Sequence, residues 1–188
     1  LSKGDKTRAR LFFERCTRAA PRFFGCHRGM GSLHMHMGYF LQAEESFKQA
    51  LNYKPGDIST LSSLGQLYMA TKRFEDADKT LQEVVSLDPD RGEPYFGLAE
   101  LRFAQGRLDE TLNLLKEAER RPLEEAKFKE LIHELRARTF AGLAYEAIRG
   151  RGDPPLELYR SEVLKLYNQA LAEVDIALET AVLEQKHR

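Results

Sequence analysis

The sequence predicts an all-α protein built from stacked helix pairs, and three observations carry that prediction. Apolar residues recur at helical spacing through most of the chain. The pattern also repeats itself with a step of 34 residues: Gly31, Gly65 and Ala99 share one register, Ala43 and Ala77 a second, and Phe47, Leu81 and Leu115 a third. Finally, Pro21, Pro55, Pro89 and Pro122 fall where each unit ends, because a ring without an N–H cannot continue a helix.

Each register has a physical reason. Small residues let the two helices of a pair approach closely, and large ones such as Phe47, Tyr68 and Leu81 fill the space between them. A chain of 188 residues buries its core between neighbouring units in such an arrangement, so one continuous array over 1–188 is expected.

In chain order, residues 4–21 read as the second helix of a truncated pair, with Ala9, Phe13 and Cys16 in the core registers. Either the chain begins inside a repeat or further repeats precede it, and the apolar face of residues 5–19 then needs a neighbour. Three pairs follow, at 24–57, 58–91 and 92–122. Asp57 and Asp90 sit near the next helix starts, where a carboxylate is favourable. After Pro122 the register breaks. Residues 123–148 read as one long helix, residues 149–155 as a Gly/Pro loop, and a last helix runs from about 155 to 185. Together, 123–188 form an elongated, degenerate fourth pair and capping helix.

Lys plus Arg and Asp plus Glu number 29 each, so net charge gives no pull toward nucleic acid, which is not an expected partner. Eight basic residues lie in 1–30 against Asp5 and Glu14; this positive patch is read as a solvated helix face. No apolar run approaches the ~20 residues of a membrane span, and the start has no secretory core. The first residue is Leu, as expected of a processed or excised piece. Cys16 and Cys26 form no CxxC pair and are few for a disulfide framework, which favours a reducing compartment, and the chain is read as cytoplasmic.

The spacing resembles that of the tetratricopeptide repeat, carried best by Leu64, Gly65, Tyr68, Ala77, Leu81, Val84 and Pro89. The resemblance covers residues 4 to about 122. It departs from the family pattern in lacking any tryptophan, with His27 and Leu61 in slots usual for a large aromatic, His34 and Arg102 in place of the tyrosine, Thr111 in place of the small alanine and Lys72 in place of the turn glycine. The resemblance implies a right-handed superhelical solenoid whose first helices line a concave groove.

On that reading the groove carries Arg28, Ser32, Met35 and His36 from the first pair; Ser62, Gln66 and Met69, with Ser59, from the second; Glu93, Phe96, Glu100 and Phe103 from the third; and Thr139, Leu143 and Glu146 from the fourth. Met35, Met69 and Phe103 are 34 apart and are expected to form an apolar ladder for a partner's peptide or amphipathic helix. The family's chaperone-tail binders grip a carboxylate with Lys, Asn and Arg. Here the equivalent slots hold Arg28, Ser32, Ser63, Glu93 and Gly97, and Glu93 would repel that ligand.

Other motifs carry less. His34 and His36 alternate on a helix and point to opposite sides, so no metal site is expected. Arg151-Gly152-Asp153 reads as a turn. No phosphate loop, nucleophile elbow or HExxH occurs, so neither catalysis nor a cofactor is expected. The sequence therefore points to a protein-interaction scaffold or adaptor. Two alternatives are self-assembly into a homo-oligomer through the last helix, with Leu156, Tyr159, Val163, Leu166, Ala170, Val174, Ala177 and Ala181 as its seam, and the adaptor part of a larger enzyme or a secretion or assembly component.

Overall fold

The computed structural model describes residues 3–123, 127–149, 164–166 and 168–176. Among them lie eight helices: α1 (Lys3–Ala19), α2 (Phe24–His36), α3 (Phe40–Tyr53), α4 (Ile58–Ala70), α5 (Phe74–Leu87), α6 (Glu93–Ala104), α7 (Leu108–Glu119) and α8 (Lys127–Arg149). Residues 164–166 and 168–176 are also helical. The chain divides into two compact units, Leu1–Pro89 and Asp90–Arg188.

In the first unit α2 packs against α3 and α4 against α5, while α1 lies on α2 and α3 on α4. The small residues stand where the helices come closest. A Cβ added at Gly31 would lie 2.6 Å from the Phe47 ring, and one at Gly65 would lie 2.8 Å from Leu81. Ala43, Phe47, Leu67, Ala77 and Val84 are buried around these contacts. In the second unit α6 packs against α7, and α8 lies on both. There the core is Phe96, Ala99, Leu115, Ala118, Ile132 and Leu135.

The turn inside each pair is built the same way three times. Gly38, Lys72 and Gly106 adopt positive φ of 77°, 59° and 75°. The N–H groups of Gly38 and Tyr39 donate to the carbonyls of Met35 and His34; Lys72 and Arg73 donate to Met69 and Tyr68, and Gly106 and Arg107 to Phe103 and Arg102. These are the paired bonds that satisfy the last carbonyls of a helix ending in a left-handed residue. The lysine in the turn-glycine slot thus keeps the glycine's conformation. The second helices end two or three residues before Pro21, Pro55, Pro89 and Pro122.

Several expectations are corrected. The long helix is described over Lys127–Arg149; Leu123, expected to open it, is not helical and packs against the second core. Asp57 caps α4, but Asp90 caps nothing, because α6 starts at Glu93 with Gly92 before it. Thr111 is buried in the slot of the small alanine and satisfies its hydroxyl on the Arg107 carbonyl at 2.9 Å. The two cysteines are joined, Cys16 on α1 to Cys26 on α2. The Arg151-Gly152-Asp153 turn and the last helix beyond residue 176 lie outside the described residues.

Candidate partner-binding surface

In the first unit the predicted groove residues stand on α2 and α4. His36 and Gln66 are exposed, whereas Ser32, Met35, Ser62 and Met69 are half-buried. Met35 and Met69 occupy the last turns of α2 and α4. His36 is partly committed, its Nδ1 lying 2.8 Å from the Ser32 carbonyl oxygen. At the other end of the face, Arg28 donates from Nη1 to Asp57 Oδ2 at 3.2 Å, and its guanidinium lies 5.7 Å from the centre of the Phe24 ring.

Asp57 explains why Arg28 is held there. It is 6% exposed and accepts from the Thr60 N–H at 3.1 Å and the Thr60 hydroxyl at 2.7 Å, with Lys54 Nζ at 3.0 Å. Burial pushes its carboxyl up, but the bonds from Thr60 and Lys54, together with the Arg28 charge, outweigh burial and hold it below the usual aspartate range. Asp57 is therefore an anion at neutral pH that ends one helix pair and begins the next.

A second network joins α3 to α4 and to the turn before α5. Glu44 accepts from Arg73 at 2.7 Å and the Tyr68 hydroxyl at 3.1 Å, with Lys48 at 2.8 Å. Arg73 also lies 4.4 Å from the centre of the Tyr68 ring. Burial raises the Glu44 carboxyl, but the three donors bring it below its ordinary value. Sequence reasoning missed this network; its only signal is that Tyr68, a core position, carries a hydroxyl needing a partner.

The second unit treats its predicted residues differently. Phe96 is 6% exposed and packs edge-on against Phe128 at 5.8 Å, so it belongs to the core and not to an open face. Phe103 packs against the same core beneath the Arg138 guanidinium, 4.8 Å from its ring centre. Glu93 lies 3.3 Å from Arg91 Nε. Glu100 is part-buried, and burial raises its carboxyl despite the opposing charge of Arg138. Thr139 is fully buried and donates to the Leu135 carbonyl at 2.7 Å; Leu143 is half-buried and Glu146 exposed. Glu173 lies 2.6 Å from His133 and 3.3 Å from Arg136. A pocket of about 480 Å³ lined by Arg121, Leu123, Lys129, Ile132 and His133 opens beside them.

Among the described residues no three His, Cys, Asp or Glu side chains converge on a point, and no helix is long and apolar enough to cross a membrane. The open surface is one of side chains presented on rigid helices, as in helix-pair repeat proteins that recognise other proteins.

Comparison with known proteins narrows that class. Residues 34–91 match the tetratricopeptide repeat model. The backbone is similar to that of MamA, with a TM-score of 0.63 and 16% identity over 95% of this chain and 98% of that one. It is similar also to YrrB, described as a TPR protein with an unusual peptide-binding site, with a TM-score of 0.60 and 16% identity over 97% and 84%. A chain of the APC/C hetero-tetramer Cut9–Hcn1 gives 0.66 and 18% over 95% and 31%. At these identities the likeness is one of fold. Among sequences, the chain is 28% identical over 90 residues to the mouse (Mus musculus) protein O-mannosyl-transferase TMTC1 and 26% identical over 104 residues to the CTR9 homolog of Arabidopsis thaliana. These stretches are 46% and 53% of this chain but 10% of each relative. Residues 34–91 are thus tetratricopeptide repeats, and the chain shares the helix-pair fold of such proteins.

Proposed function

We propose that the chain is a protein-interaction module that binds a peptide or helical segment of a partner protein on the face formed by α2 and α4. The observation that supports this most is the matched placement of Met35 and Met69. They fall at the same register of adjacent pairs, half-exposed, with His36 and Gln66 beside them. Methionine is flexible and polarisable, so such a pair adapts to an apolar anchor while the polar neighbours fix its orientation. The face is carried on helices locked by the Gly31–Phe47 and Gly65–Leu81 contacts, so little entropy is lost on binding.

The test is affinity capture with the wild-type chain and a Met35→Glu/Met69→Glu variant of equal helical circular dichroism. A protein retained by the first and lost by the second supports the reading, and equal retention removes it. A second reading is self-assembly, favoured by the exposure of Leu164, Leu171 and Val174 on the C-terminal helical residues. A mass in solution that rises with concentration, and reverts in a Leu171→Glu variant, would carry that reading instead.

A further inference from the structure

Helix α1 carries on its outer side a row of residues that the second helices after it do not repeat. Arg8, Leu11, Arg15 and Arg18 follow at steps of three, four and three, so they share one helix face and span about 15 Å. All four are exposed, Leu11 at 50%. They stand away from the α2 side, where the Phe13 ring fills the notch at Gly29 and Cys16 is bonded to Cys26. The nearby Glu14 is taken by Arg10 at 2.8 Å; among the described residues Arg8, Arg15 and Arg18 meet no carboxylate. Arg22, in the turn that follows, is exposed as well.

The outward position of the row comes from its register. Thirty-four residues on, α3 packs against both α2 and α4, and its counterparts Gln42, Glu45, Gln49 and Asn52 are all exposed. In α5 the same places hold Asp76, Lys79, Glu83 and Ser86, again exposed or half-buried. A helix with two neighbours thus leaves these positions open, so their exposure does not depend on what packs against the rest of α1. What changes is the chemistry: three positive charges and a leucine in α1, against one net negative charge in each of the other two rows.

We propose that this face docks on a membrane surface rich in anionic lipid, with Arg8, Arg15 and Arg18 holding lipid phosphates while Leu11 enters the headgroup layer. A guanidinium offers a planar fork that fits two phosphate oxygens, and a basic helix face is drawn to the negative surface of such a bilayer. The row stands along the crest of a helix, so it meets a plane over its whole length, and lipid phosphates diffuse to each arginine. Leu11 decides between polyanions. An aliphatic side chain amid the arginines gains free energy by entering the boundary between headgroups and acyl chains, whereas a nucleic-acid backbone offers it nothing to enter. Contact of this kind lies in the interface and needs no spanning helix.

The test is co-flotation of the whole chain with vesicles of phosphatidylcholine alone and of three parts phosphatidylcholine to one part phosphatidylserine. Binding to the second kind only, weakening as salt rises, is expected. Arg8→Gln/Arg15→Gln/Arg18→Asn writes the α3 row onto α1, so helical circular dichroism should persist. Its binding should fall roughly a hundredfold, and that of Arg15→Gln alone about fivefold. Leu11→Gln should lower binding several-fold at unchanged salt dependence. Equal flotation with both kinds of vesicle, or with neither, would overturn the proposal, as would undiminished binding by the arginine variants. A Leu11→Gln chain that floats like the wild type, or a DNA duplex bound more tightly than the vesicles, would assign the row to general polyanion attraction and overturn it too.

Discussion

The two units close their inter-pair junctions by different means. In the first, α3 meets α4 at a charged knot in which Asp57 caps a helix while drawing in Thr60, Lys54 and Arg28 from three directions. In the second, the end of α7 and the start of α8 close on an apolar core of Phe96, Leu115, Ala118 and Ile132, with Phe128 against it. The cap position before α6 is Gly92, which offers no side chain, and an added Cβ there would collide with the Ala118 carbonyl. Two junctions in one chain are therefore closed by two physical solutions. A charged junction depends on pH and ionic strength, and an apolar one depends on volume.

The largest test of that contrast is Phe96→Ala. Deleting a buried ring should cost about 3–5 kcal/mol, confined to the second unit, so that denaturant melting followed by hydrogen exchange shows α8 losing protection while α4 and α5 keep theirs. Loss spread evenly over both units would erase the distinction.

Asp57→Ala comes next, at about 1–2 kcal/mol for a lost helix cap, read as a lower denaturation midpoint of the first unit at neutral pH. Because the folded carboxyl is held below its ordinary value, the wild type's advantage is complete above the ordinary aspartate range, about 4. It vanishes as pH falls through the lower folded value. The two proteins should therefore converge in acid, and a gap that persists there would mean that Asp57 acts through packing.

The smallest effect has the opposite sign. Burial raises the Glu100 carboxyl, so the favourable state of that side chain is the neutral one, present at low pH and lost as pH rises through the folded value. Glu100→Gln should raise the thermal midpoint of the second unit slightly at neutral pH and leave it unchanged in acid. A lower midpoint at neutral pH would show that the pairing with Arg138 outweighs burial.

Much of this fold was legible in the sequence, because what repeats is what packs. Gly31 against Phe47 and Gly65 against Leu81 are contacts within a pair, and a contact within a pair leaves a spacing. Contacts between pairs leave a weaker trace. Phe96 shares its register with Arg28 and Ser62, which gives it an outward place, yet a large ring beside Phe128 is drawn into the core. The Glu44 network and the Cys16–Cys26 bond were illegible for the same reason: each joins residues whose counterparts in other repeats do something else.

Lys72 gives the same principle a practical edge. A lysine held at a φ of 59° is in a backbone state that side-chain-bearing residues resist, yet the bonds around it match those at Gly38 and Gly106. The hairpin is thus dictated by the helices it connects, and the connector follows. The same turn is made with two glycines and one lysine, the lysine bearing the strain that a side chain meets at positive φ. An engineer placing a fluorophore or a tether at Lys72 would keep the turn and add no new strain to it.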